Sequence, residues 1–160
     1  MFELKAAAGL DKPALYAQLV EQARMLIGDE KNPVANAANL AALIWHTLPD
    51  LNWAGFYLFD GKELVLGPFQ GKPACIRIAL GKGVCGTVAL SRQTVIVPDV
   101  HAFAGHIACD SASNSEIVVP LLKDGKLLGV LDLDSPKLSR FDAEDAAGLG
   151  QLAAIYVAPA

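Results

Sequence analysis

The sequence predicts an α+β domain: a central, mostly antiparallel six-stranded sheet with N- and C-terminal helices on one side and loops plus a short helix on the other. Helical spacing of apolar residues is confined to the two ends of the chain, six short runs in the middle alternate apolar and polar residues, and Asp-Gly pairs mark tight turns between runs. At 160 residues the chain is expected to form one domain spanning 1–160, long enough to bury a real core.

Asp11 is placed to cap a helix starting near Pro13, in which Leu15, Leu19, Ala23 and Leu26 recur at helical spacing until Gly28 ends it. Asn32-Pro33 starts a second helix, Ala-rich and apolar on much of its circumference to Trp45 and Leu48, which calls for burial on more than one side. Trp53–Phe59 is an aromatic strand with Trp53 and Tyr57 on one face, and Asp60-Gly61 is a two-residue hairpin signal into Glu63–Leu66. Cys75–Leu80 alternates, with Cys75 and Arg77 opposite Ile76, Ile78 and Leu80. Gly81–Gly86 is expected to turn into a short helix from Thr87 to Ser91, before a strand at Val95–Pro98. The irregular stretch from Asp99 carries His101, His106 and Cys109.

In the next strand Glu116, Val118 and Pro120 share one side, with Ile117, Val119 and Leu121 on the other. A turn at Asp124-Gly125 then leads to Gly129–Asp134. There Asp132 and Asp134, at i and i+2, point away from Leu131 and Leu133. Two aspartates are unusual in a strand, so this face is either solvated or the floor of a pocket. Phe141, Asp142 and the acids Glu144 and Asp145 announce a final helix through Leu149, Leu152, Ala153 and Tyr156.

Composition narrows the function. The 53% hydrophobic content is spread along the chain, with no run as long as a membrane helix. The N-terminus lacks the pattern of a signal peptide, so the expected location is cytoplasmic. A net charge of -4 without a basic stripe argues against nucleic acid. Three widely spaced cysteines, Cys75, Cys85 and Cys109, fit a reducing compartment, where a disulfide would be transient and catalytic.

Two motifs fail on context. Gly81, Gly83 and Gly86 satisfy Gly-x-Gly-x-x-Gly as a string, but the βαβ setting and the acidic ribose partner are missing. His101, His106 and Cys109 lie close in sequence without the spacing of a zinc site, and no metal is expected. Cys109 differs from the other thiols in its polar loop, Asp110 to Ser115, where a thiol would be accessible.

The frame Gly83-Val84-Cys85-Gly86-Thr87-Val88-Ala89, Val95 to Val100, Ser115 to Leu121 and Gly129 to Ser135 resembles a GAF domain. With Asn52-Trp53-Ala54-Gly55-Phe56-Tyr57, three cysteines in this order and His106-Ile107-Ala108-Cys109-Asp110, the chain resembles the free methionine-R-sulfoxide reductases, single-domain GAF enzymes. The resemblance implies reduction of free L-methionine-R-sulfoxide through a sulfenic acid and an intramolecular disulfide. It also implies a homodimer with no bound cofactor and thioredoxin as external reductant. Cys109 would be the nucleophile, Cys75 the resolving thiol and Cys85 a third cysteine with a secondary part, while Trp53, Tyr57, Glu116, Asp132 and Asp134 would line the pocket.

The chemistry fits these residues. A free amino acid is a zwitterion, so Asp132 and Asp134 can hold its ammonium while backbone N–H groups from Ile107 to Cys109 receive its carboxylate. Three carboxyl groups in one pocket repel, so at least one should keep a proton near neutral pH: Glu116 is the first candidate for the acid that protonates the departing oxygen, Asp134 the second. The alternative is a non-catalytic GAF module that binds a small molecule or senses redox state, disfavoured by the lack of an output domain or linker.

Overall fold

The computed structural model describes residues 1–107 and 109–160. Six strands, β1 (Trp53–Phe59), β2 (Glu63–Gly71), β3 (Arg77–Ala79), β4 (Val95–Val97), β5 (Ser115–Lys123) and β6 (Lys126–Ser135), form one sheet in the order β3-β2-β1-β6-β5-β4. Every pairing is antiparallel. Helices α1 (Lys12–Ile27), α2 (Pro33–Thr47) and α4 (Ala143–Val157) form a core with one face, and α3 (Gly83–Ser91) packs on the other. Among the described residues no helix is long and apolar enough to cross a membrane.

The caps follow the expected chemistry. Asp11 accepts from the Ala14 amide and Asn32 from those of Val34 and Ala35, so both helices start with an orphan N–H satisfied and Pro in the first turn. Asp142 and Asp145 form a capping box at the start of α4. Asp145, fully buried, also accepts from Tyr16 Oη at 2.7 Å, Lys12 Nζ at 2.8 Å and Arg140 at 3.3 Å, tying α1 to α4.

Alternation divides the sheet between two cores. Ala54, Phe56, Ile117, Val119, Leu121, Leu131 and Leu133 face the three long helices, whereas Trp53, Tyr57, Val118 and Val130 face α3. At the Asp124-Gly125 turn both residues have positive φ, 50° and 75°, the geometry that suits a two-residue hairpin between right-twisted strands.

Four local expectations need correction. The β1–β2 turn is centred on Gly61-Lys62, one residue later than Asp60-Gly61, because Asp60 pairs with Glu63 and its side chain accepts from the Lys62 and Glu63 amides. Strand β2 runs on to Gly71, beyond Leu66. Strand β3 covers only Arg77–Ala79: Ile76 is exposed, and Cys75 lies in the preceding loop rather than on a strand face. Finally, α3 starts at Gly83, so Cys85 lies in its first turn instead of in a loop before it. Gly83 and Gly86, turn residues by sequence, are buried in α3, where a Cβ on Gly86 would run into the backbone of Ala79.

Candidate active site

On the α3 side of the sheet, register sets out the site as a small grid. Asp134 lies between Trp53 of β1 and Glu116 of β5, and Asp132 between Gly55 and Val118. A side chain on Gly55 would run into the backbone and Cβ of Phe69, so glycine there lets β1 and β2 approach closely. This face is not solvated: Glu116 and Asp132 are each only 5% exposed, beneath α3 and the loop that carries Cys109. It floors a cleft of roughly 540 Å³, its mouth included.

Burial and mutual repulsion decide the charge of the floor. Desolvation and the charge of Asp134 push Glu116 up to about 8. Desolvation, the charge of Glu116 and a hydrogen bond with it push Asp132 well up. Desolvation and the charge of Asp132 do the same to Asp134. Near neutral pH this floor therefore holds protons, as carboxyl groups crowded away from water must.

Two sulfurs meet at the mouth. Cys75 Sγ and Cys109 Sγ are 2.7 Å apart, both as free thiols. Cys109 is exposed, yet desolvation around its sulfur and the hydrogen bond it shares with Cys75 push its thiol up to about 12, with Asp132 adding to the effect. Cys85 is buried in α3, where desolvation and Asp132 push its thiol well up.

The structure brings together Trp53, Tyr57, Cys85, Ile107, Cys109, Glu116, Asp132 and Asp134 around this one cleft, and Cys75, which is not part of its lining, meets it through Cys109. The aromatic pair does more than line it. Trp53 and Tyr57 stack with centroids 5.8 Å apart, and their polar ends hold the Cys75 loop: Trp53 Nε1 donates to Lys72 O at 3.1 Å and Tyr57 Oη to Cys75 O at 3.0 Å. Ile107 packs over Gly83, so closely that a Cβ on Gly83 would sit 3.0 Å from it. Ala108, within the His106–Asp110 motif and the set of backbone amides expected to receive a carboxylate, lies outside the described residues.

Sequence reasoning missed several supporting groups. Asn52 Nδ2 donates to Asp110 Oδ2 at 3.1 Å and Ser113 Oγ at 2.9 Å, and Lys72 Nζ lies 3.8 Å from Asp110 Oδ1, so Asp110 joins the Cys109 loop to the Cys75 loop. His106 Nε2 lies 3.5 Å from Glu116 Oε2, and burial lowers its pKa. No sequence spacing links these partners; only their position next to motif residues could have suggested them. His101 pairs with Asp99 in the exposed 3-10 turn Val100–Ala102 instead of joining His106 and Cys109 at the cleft.

This geometry has known counterparts. The GAF domain family matches residues 35–157. The free methionine-R-sulfoxide reductase of Escherichia coli is 51% identical over 145 residues, covering 91% of this chain and 88% of that protein. The Saccharomyces cerevisiae free methionine-R-sulfoxide reductase is 46% identical, covering 92% and 86%. The chain belongs to the free methionine-R-sulfoxide reductase family of GAF domains. Among solved members of that family, the Neisseria meningitidis enzyme in complex with its substrate superposes with a TM-score of 0.95 at 48% identity, covering 99% of this chain and 95% of that one. The fold expected from the resemblance is therefore the fold of the chain.

Proposed function

We propose that this protein reduces free L-methionine-R-sulfoxide to L-methionine at the cleft between Cys109 and the acidic floor. The observation that carries the reading is the pair of free thiols, Cys75 and Cys109, 2.7 Å apart beside the buried carboxyl groups of Glu116 and Asp132 and the half-buried one of Asp134. Relatives named as free methionine-R-sulfoxide reductases, at 46–51% identity, support it.

Asp132 and Asp134 hold the substrate's ammonium, which gives Asp132 Oδ1, a buried oxygen with no hydrogen-bond partner, a donor. Lys72 and Lys82, which line the mouth, supply positive charge for its carboxylate together with backbone amides beside Ile107. A peptide-bound residue has neither charge, so the site selects the free amino acid. Trp53 and Tyr57 wall the sulfur and methyl group.

The positive charge of the ammonium favours the ionised forms of the groups around it, the Cys109 thiolate among them. Glu116, kept protonated by burial, gives its proton to the sulfoxide oxygen while Cys109 Sγ attacks the sulfur. The oxygen ends on Cys109 as a sulfenic acid and methionine leaves. Cys75 attacks that sulfenic sulfur, water departs and a Cys75–Cys109 disulfide remains. A dithiol then reduces the disulfide, and thioredoxin is the physiological one in this reading. A homodimer in the cytoplasm and one GAF domain spanning 1–160 belong to the same reading.

Incubation with dithiothreitol and racemic free methionine sulfoxide, followed by chiral separation, tests it: the R epimer alone should disappear. No turnover, or turnover unaffected by Cys109→Ser, overturns it. Cys75→Ser should complete one turnover and fail to recycle with thioredoxin; recycling through Cys85 instead would remove Cys75 from the resolving role.

A further inference from the structure

The reductase scheme leaves one buried nucleophile without a task. Cys85 Sγ, an oxygen of Glu116 and an oxygen of Asp132 all lie within 4.8 Å of one another, and all three residues are buried. They come from α3, β5 and β6, three elements packed together, so the sulfur and the oxygens are held on a rigid frame. Asp132, only 5% exposed, keeps Oδ1 without any hydrogen-bond partner. An ammonium could satisfy that oxygen but would gain little from a thiol beside it. A cation that binds sulfur and oxygen together uses both.

We propose that Cys85, Glu116 and Asp132 form a binding site for a borderline-soft divalent cation, Zn²⁺ or Cd²⁺, at the floor of the cleft. A zinc ion stands about 2.3 Å from thiolate sulfur and roughly 2.0–2.2 Å from carboxylate oxygen, so three atoms already this close need only small side-chain rotations to converge on it. Binding releases the protons of the thiol and the carboxyl groups to solvent, leaving a thiolate and two carboxylates as ligands. The fourth position stays open to water or to His106, whose Nε2 is 3.5 Å from Glu116 Oε2. The ion would share Asp132 with the ammonium of an amino acid, but the site itself does not depend on reductase activity.

Because Cys75 and Cys109 form a dithiol that would capture the same ions, the test uses the full chain as the Cys75→Ser/Cys109→Ser variant, in which Cys85 is the sole thiol. Titration with Cd²⁺, followed by the ultraviolet thiolate-to-cadmium charge-transfer band, should saturate at one ion per chain. Zn²⁺ should raise the melting temperature of the same variant. The band should vanish on adding Cys85→Ser, and affinity should drop at least about tenfold with Asp132→Asn or Glu116→Gln, since even residues that only support a ligand cost 10–100-fold. The carboxamide variants keep the shape of the floor, and circular dichroism without metal confirms their fold. Absence of the band in the parent variant, or an affinity unchanged by both carboxamides, overturns the proposal. Cadmium binding by a protein that reduces no sulfoxide would defeat the reductase reading alone.

Discussion

At the scale of the residue, environment rather than residue type assigns the proposed roles. Glu116, Asp132 and Asp134 are three ordinary carboxyl groups by sequence, and cross-strand register is what gathers them on one face, Glu116 and Asp132 buried and Asp134 half-buried. Glu116→Gln keeps the shape and removes the acid, so multiple-turnover reduction of free methionine sulfoxide should fall by about 10²–10⁴. Formation of the Cys75–Cys109 disulfide with hydrogen peroxide, which needs no pocket acid, should persist in that variant. An unchanged turnover number would transfer the acid's role to Asp134. Trp53 and Tyr57 illustrate the complementary point: two residues with the same face and similar size anchor the Cys75 loop through Nε1 and Oη, a function that alternation cannot reveal.

At the scale of the element, the helix layer depends on one buried charge. Asp145 closes the capping box of α4 and meets Lys12, Tyr16 and Arg140, so its removal strands two cations and a phenol at the α1–α4 contact. Asp145→Ala should lower stability by about 3–5 kcal/mol, and Tyr16→Phe, which removes one hydrogen bond, by about 1 kcal/mol, both read from urea denaturation midpoints. Equal losses would show that Asp145 acts only through Tyr16. The site lies on the opposite face of the sheet, so the Cys75–Cys109 arrangement should survive in folded Asp145→Ala protein. The elements themselves were largely legible: the caps at Asp11, Asn32 and Asp142 and the turn at Asp124-Gly125 are local chemistry, written within a few residues of where they act. The start of α3 was not, because Gly81, Gly83 and Gly86 read as a turn until packing against the sheet is known.

At the scale of the whole molecule, the acidic floor sets how stability depends on pH. Burial raises the pKa of Glu116 to about 8, and those of Asp132 and Asp134 also rise. A raised carboxyl group binds its proton more tightly folded than unfolded, so its stabilisation is complete below the unfolded value and is lost as pH rises through the folded one. His106, whose pKa burial lowers, acts in the opposite sense near its ordinary range. The melting temperature of the ligand-free protein should therefore fall between about pH 5 and about pH 8, with up to about 1.4 kcal/mol per pH unit for each proton involved. Glu116→Gln should flatten that slope when followed by calorimetry. A melting temperature that climbs over this range would mean the floor is ionised and solvated in the folded protein.

By itself the sequence determined the α+β class, the three long helices and the strand faces except at Cys75 and Ile76, which lie outside β3, and it singled out the candidate thiols and acids, because periodicity, caps and turn residues are local and a motif names its own members. It could not decide whether Asp132 and Asp134 faced water or a pocket, since alternation places a side chain on a face without saying what covers it. The tertiary structure decided that point by laying α3 and the Cys109 loop across the sheet. It also brought together pairs that sequence separation conceals: Cys75 with Cys109, Asn52 with Asp110, His106 with Glu116 and Cys85 with Asp132. These contacts arise from the order β2-β1-β6-β5, which sets distant parts of the chain side by side, and the chemistry of the cleft depends on those neighbours.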